Sequence, residues 1–286
     1  VTNGNAVRRR LDVGEETVEF FERGDGEPLL LVHAGVFDAW FTPLAHDATL
    51  KDFRVLQTRR VGYDTTAPKP GRHLTIADHA RHCAAILDSL QIQRAHVLGH
   101  SSGSLIGLQL AVERPELVQS LVLVEPAIAP ALAPPNEAAG IRESYQAMAA
   151  MARAGADLVA LFDTFMRQVC AQDYRDVLLA ALGPEGIQRA ERDCGFFFRE
   201  EVPAVQHWTF DRAIASRIAQ PVLFVQGGDS PSIVHAIIAH IATMLAADTE
   251  TTTIPGTDHL LPLRDPATLG RLTADFTRRH RITAHI

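Results

Sequence analysis

The residues of this chain best able to do covalent chemistry are Gly99-His100-Ser101-Ser102-Gly103, a serine with a glycine two positions away on each side. An apolar run, Ala95-His96-Val97-Leu98, precedes them, and a helical-looking stretch, Leu105 to Val112, follows. Strand, Gly-x-Ser-x-Gly, helix is the context of a nucleophile elbow. The turn is sharp enough to strain the serine backbone, and side chains two positions either side would clash. Glycine at 99 and 103 removes those clashes. The Ser101 hydroxyl is then expected at the carboxyl edge of a parallel sheet, with the first N–H of a helix beside it.

A serine hydroxyl is a poor nucleophile near neutral pH. It needs a general base, a group that orients the base, and donors for the oxyanion. The expected base is His259 in Gly256-Thr257-Asp258-His259, between the last strand and the last helix. The oxyanion donors are backbone N–H groups and are found by position. Ser102, immediately after the nucleophile, supplies one. Gly35, in the loop His33-Ala34-Gly35-Val36, supplies the other, while His33 orders that loop. His100 belongs to the wall of the elbow and is a poor base, because its side chain points away from Ser101.

These groups must be carried to one edge by the surrounding elements. Val7–Val13 and Thr17–Glu22 read as strands, and Pro28–His33 is a continuous apolar run of the kind buried in a parallel sheet. Phe53–Thr58 is a further strand and Ile76–Leu90 an amphipathic helix. After the elbow, Leu121–Val124 forms another buried strand that ends at Glu125-Pro126. From Ala127 to about Phe210 the chain is Ala-rich and helical without a convincing strand. Alternation then resumes: strand Pro221–Gln226, helix Ser232–Ala246, strand Glu250–Ile254, helix Pro266–Arg279. The pattern predicts an α/β class with a mostly parallel sheet flanked by helices. Residues 1–126 and 211–286 form the core, and 127–210 a helical lid or cap inserted after the sixth strand.

The length of 286 residues suits one α/β core with an insertion, and an apolar fraction of 47% can fill it. A net charge of −7, from 27 basic and 34 acidic residues, argues against nucleic acid or an anionic membrane as the main partner. Arg8-Arg9-Arg10 reads as a solvated patch on an early strand. Three widely spaced cysteines, Cys83, Cys170 and Cys194, exclude a disulfide framework. With no signal-peptide layout and no membrane-length apolar run, the expected location is cytoplasmic. Thirteen histidines show no metalloprotease spacing, so no metal or other cofactor is expected. The expected partner is a small-molecule substrate; a homodimer is left open.

Five pieces together resemble the α/β-hydrolase fold family over nearly the full length: His33-Ala34-Gly35, the elbow at Ser101, Glu125-Pro126, Gly227-Gly228-Asp229-Ser230, and Gly256-x-x-His259. The resemblance implies a Ser/His hydrolase and leaves two candidates for the acid. Most members carry an aspartate after the seventh strand, as Gly-x-x-Asp. Here serine stands at that register and Asp229 is one residue early. A minority place the acid at the end of strand 6, where Glu125 closes a buried run. An unpaired carboxylate buried there would cost several kcal/mol, so Glu125 needs a strong donor such as His259. The Ser-Ser-Gly elbow with a strand-6 glutamate is similar to the lactone-cleaving branch typified by zearalenone hydrolase.

The expected activity is a serine esterase or lactonase acting on a largely apolar small molecule through an acyl-enzyme. The alternatives are a carbon–carbon bond hydrolase, a cofactor-free haloperoxidase-like enzyme, and a non-catalytic receptor. Epoxide and haloalkane hydrolysis is disfavoured, because those relatives carry aspartate where Ser101 stands. Val36, His100 and Trp208 are the expected substrate-contacting residues, with Trp208 balanced between pocket and core. The run Phe196-Phe197-Phe198 is assigned to core.

Overall fold

In the computed structural model, which describes residues 6–64, 66, 68 and 71–283, the apolar runs become the middle of an eight-stranded sheet. The chain opens with β1 (Val7–Val13), β2 (Glu16–Arg23), β3 (Glu27–Val32), a short helix α1 (Thr42–Ala45) and β4 (Phe53–Arg59). Then come α2 (Ile76–Ser89), β5 (Ala95–His100), α3 (Ser102–Glu113) and β6 (Val118–Val124). Between β6 and β7 (Val222–Gly227) lies a helical insertion: α4 (Ala138–Arg153), α5 (Leu158–Val169), α6 (Tyr174–Phe196), a π-helical turn at Phe197–Glu201, α7 (Val202–His207) and α8 (Arg212–Ala215). The chain closes with α9 (Ser232–Met244), β8 (Thr249–Ile254), α10 (Leu261–Arg264) and α11 (Pro266–Arg279).

The sheet order is β1-β2-β4-β3-β5-β6-β7-β8. The β1–β2 and β2–β4 pairs are antiparallel, and every later pair is parallel. The order reverses about β3, so β4 lies on one side of it and β5 on the other. In open α/β sheets such a reversal leaves a crevice at the carboxyl ends of the strands.

The continuous apolar runs have a direct cause: both faces of the sheet are covered. On one face Leu30, Val32, Val97, Leu121, Leu123 and Phe224 pack with α2, α3 and α9. On the other, Leu29, Leu31, Leu98, Val122, Val124 and Val225 pack with α1, α10 and α11. A third cluster sits under the insertion, where Phe162, Phe165 and Phe198 meet Val36, Trp40 and Leu260 from core loops. The α2 start is fixed by a capping box between Thr75 and Asp78.

Register aligns the carboxyl ends. Val32 pairs with Gly99, His100 with Val124, Val124 with Val225, and Gly227 with Ile254. The residues that follow β3, β5, β6, β7 and β8 therefore emerge side by side at one edge.

Candidate active site

Ser101 occupies φ 52°, ψ −120°, a conformation that L-residues rarely adopt. The flanking glycines explain how the turn fits. A Cβ at Gly103 would lie 2.0 Å from the Val32 carbonyl oxygen, and one at Gly99 would lie 2.4 Å from the Gly103 carbonyl oxygen. The turn is pinned by Ser101 N–H to Val124 O (3.0 Å) and by the Ser104 hydroxyl to Gly99 O (2.9 Å). Ser102 is the first residue of α3, so its N–H has no acceptor within the helix.

Glu125 follows β6 with φ 44° and is fully buried. Its Oε1 accepts from the Gly227 N–H (2.6 Å) and the Ser230 hydroxyl (2.8 Å), and its Oε2 lies 3.2 Å from His259 Nδ1. That contact places the imidazole proton on Nδ1 and leaves Nε2 as the acceptor. Ser230, at the register where the resemblance implies an aspartate, donates instead to the carboxylate that follows β6. Asp229 is exposed and holds its loop through its backbone N–H to Thr257 O (2.9 Å). The structure thus brings Glu125 to His259 and leaves Asp229 outside.

The histidine loop has an anchor the sequence reading missed. Asp258 is buried and accepts from the N–H groups of Leu260 (2.9 Å) and Ala171 (2.6 Å) and from Arg264. It ties the loop beside His259 to the insertion. The signal was present as an aspartate adjoining the base, but its partner lies 87 residues away.

Ser101, Ser102, Gly35, Val36 and His259 line one cavity of about 20 Å³, walled by Trp40, Phe165, Phe197, Val202 and other apolar side chains. Among the described residues no other ionisable side chain than His259 and Tyr145 lines it. Gly35 is required where it stands. A Cβ there would lie 2.5 Å from the Phe197 ring. Its carbonyl oxygen accepts from Trp40 Nε1 (2.7 Å) and the Phe37 N–H (2.9 Å). Val36 is held at φ 74°, unusual for a β-branched residue. His33 does order this loop: Nδ1 donates to Ala34 O (2.7 Å) and Nε2 accepts the Arg60 N–H (3.0 Å). Burial, with Arg60 nearby, holds its imidazole well below the usual histidine range and hence neutral.

Two expected contacts differ. His100 is fully buried behind the cavity, its ring 4.7 Å from both Trp40 and His259. It supports the His259 ring and does not line the cavity. Trp208 lines a separate groove with Gln109 and Pro203, donates from Nε1 to Gln109 (2.7 Å) and stacks on Phe210 at 5.0 Å. That bond fastens the returning insertion to α3, so the indole is turned away from Ser101. The phenylalanine run divides: Phe196 packs against Tyr63 at 5.3 Å, Phe197 reaches the cavity, and Phe198 is core.

Residues 27–266 match the model of the alpha/beta hydrolase fold family. The chain belongs to that family. Among curated proteins, this hydrolase is 37% identical over 100 residues to RutD of Pseudomonas savastanoi, a protein whose name assigns it provisionally to carbamate hydrolysis; the match covers 34% of this chain and 38% of that protein. It is 29% identical over 130 residues to the 2-hydroxy-6-oxo-2,4-heptadienoate hydrolase of Pseudomonas putida, covering 43% of this chain and 46% of that one. The matched stretches thus span less than half of each of these relatives. Solved structures share the fold: the enol-lactonase of Burkholderia xenovorans superposes with TM-score 0.76 at 19% identity, covering 94% of this chain and all of that one. The carboxylesterase CesB of Bacillus subtilis gives 0.73 at 20% identity, covering 95% and 91%.

Proposed function

We propose that this hydrolase cleaves a carboxylic ester or lactone of a largely apolar small molecule by way of an acyl-enzyme on Ser101. The observation that carries the reading is the elbow serine sharing one cavity with His259, whose Nδ1 is engaged by a buried carboxylate. His259 Nε2 takes the hydroxyl proton as Ser101 Oγ attacks the carbonyl carbon. The N–H groups of Gly35 and Ser102 receive the oxyanion, and Glu125 stabilises the imidazolium that forms. As the tetrahedral intermediate collapses, the bond to the leaving alkoxide breaks and His259 returns the proton to it. Water then attacks the acyl group with His259 again as base, releasing the acid and restoring Ser101.

An apolar cavity wall supports an apolar acyl or alcohol part. A volume of about 20 Å³ holds little more than one water. In this reading the insertion is a lid that moves aside to admit substrate, with Val36 and Phe197 touching it.

The partial likeness to a 2-hydroxy-6-oxo-2,4-heptadienoate hydrolase supports a second reading, carbon–carbon bond hydrolysis. Such a substrate carries a carboxylate, and among the described residues no Arg or Lys side chain lines the cavity, which favours the ester reading. The test is a panel of p-nitrophenyl esters, lactones, carbamates and a dienoate ketone with wild type and Ser101→Ala, beside labelling by a fluorophosphonate. Ester or lactone turnover and labelling, both lost in the variant, are expected. Full esterase activity in Ser101→Ala would refute the mechanism.

A further inference from the structure

Arg60 and Glu201 are both buried and paired, Arg60 Nη2 lying 3.1 Å from each carboxylate oxygen. Glu201 belongs to the π-helical turn of the insertion, and Arg60 follows β4 in the core. Tyr63 donates its hydroxyl to the same carboxylate, and its ring lies 5.0 Å from the Arg60 guanidinium carbon. A buried ion pair is weak evidence for stability, because desolvation offsets the attraction. This one is also incompletely bonded, since Arg60 Nε and Nη1 have no hydrogen-bond partner among the described residues. Its placement suggests another role.

Arg60 bonds a neighbour of each proposed oxyanion donor. Its backbone N–H binds His33, which heads the loop carrying Gly35, and its Nη2 donates to the Ser102 hydroxyl at 3.3 Å. Glu201 presses on the same place: a Cβ on Gly35 would lie 3.0 Å from Glu201 Oε1 and 2.5 Å from the Phe197 ring. Three chain segments that share no sequence proximity therefore converge on Arg60, the head of α3 and the insertion at its guanidinium and the Gly35 loop, through His33, at its backbone N–H.

We propose that Arg60 and Glu201 are positioning residues for the oxyanion hole, making the spacing of its two amide donors depend on the seating of the insertion. The proposal rests on the assignment of Gly35 and Ser102 as those donors. Neither side chain touches substrate. Glu201 holds the guanidinium, the guanidinium holds the Ser102 hydroxyl, and the Ser102 N–H takes its place relative to Gly35. Oxyanion donors act over about 2.7–3.1 Å, and a misplacement near 1 Å can cost about a hundredfold in rate.

The test uses Glu201→Gln, Ser102→Ala and their double variant in the full chain. Ser102→Ala cuts the link to Arg60 and keeps the amide. Glu201→Gln should lower kcat about 10- to 100-fold with KM changed less than about threefold. The inhibition constant of a trifluoromethyl ketone, whose hemiketal oxyanion occupies the hole, should rise by the same factor. In the Ser102→Ala background most of the Glu201→Gln effect should vanish, since the link is already broken. Thermal melts establish that each variant is folded at the assay temperature. An unchanged kcat, a loss confined to KM, or effects that multiply independently would overturn the proposal. Ser101→Ala in the same assay separates the two readings: an active Ser101→Ala removes the acyl-enzyme mechanism, while an inactive one beside a normal Glu201→Gln removes this inference alone.

Discussion

Glu125 and His259 stand 134 residues apart in the chain and 3.2 Å apart in the fold, carboxylate Oε2 to imidazole Nδ1. The other carboxylate oxygen is fully occupied by Gly227 and Ser230, so the group has one orientation open to it. Glu125→Gln keeps the shape but removes the charge that fixes the tautomer and stabilises the imidazolium. Ester turnover should fall by about a thousandfold or more, with little change in fold. Asp229→Asn, at an exposed position, should stay within about twofold of wild type, as surface changes usually do. Steady-state kinetics on one activated ester compares the two; equal losses would reject the assignment.

Ser230 donates to Glu125 from the place where a β7 acid would stand. A bond to a charged acceptor is worth about 1.5–3 kcal/mol, and the Gly227 N–H remains, so Ser230→Ala should cost roughly tenfold in kcat. Because the two side chains are 2.8 Å apart, E125A combined with S230D should recover activity relative to E125A alone. No recovery, measured as kcat/KM at saturating stability, would mean the loops cannot exchange the carboxylate's origin.

Phe197 fills the cavity roof directly over Gly35. Phe197→Ala should raise kcat/KM for esters with branched acyl groups relative to acetate esters, and should cost about 3–5 kcal/mol of stability. A rate panel across acyl sizes together with urea unfolding reads both effects. A preference that does not move would place the acyl group elsewhere.

Two glycines on α3 should respond oppositely. Gly103→Ala forces a Cβ to 2.0 Å from backbone oxygen and should abolish soluble folded protein. Gly107→Ala meets only side-chain carbons at 3.5 Å and beyond, so its helix gain of about 0.5–1 kcal/mol should appear as a higher Tm. Circular-dichroism melts decide it.

Burial holds His33, His79 and His100 well below 6.5, and it holds His96 at about 4. In the unfolded chain each protonates near 6.5, so the stability these neutral rings contribute is complete above that pH. It is lost as pH falls, by about 1.4 kcal/mol per unit for each ring until its folded value is reached. Asp193 runs the other way: burial lifts its carboxyl to about 6, so its contribution is complete below the usual carboxylate range and lost as pH rises toward 6. The histidines outnumber it, so Tm should drop steeply between pH 6.5 and 4.5. Asp193→Asn should raise Tm at pH 7 and leave it unchanged near pH 4. Calorimetry across that range measures both, and a flat Tm would contradict them.

The elbow was legible because local backbone geometry dictates it: glycines at Ser101 ± 2, a strand before, a helix after. His259 and Gly35 were legible as residues of loops that leave the sheet at the same edge, and they do line one cavity with Ser101 and Ser102. Element bounds were also legible, with β1 and α11 at the predicted bounds and most others within a few residues. Glu125 was readable as a carboxylate closing an apolar run, but its choice over Asp229 needed the register of β6 against β7. Arg60 and Glu201 were invisible, since 141 residues separate them and each alone looks like an ordinary surface charge. Trp208 failed for a similar reason: whether an indole faces a cavity or bonds Gln109 depends on helix docking that no local pattern encodes.

Glu125 is also the residue at which the chain leaves the sheet for the helical insertion, with Pro126 immediately after it. An acid on the β7 loop would be untouched by exchange of the insertion between relatives. Here the two are covalently adjacent, so any chimera made to change substrate choice must take its junction after Pro126 or bring its own carboxylate. Recombination at this strand end is therefore restricted to donors that share the same acid, which narrows how readily this scaffold can borrow new specificities.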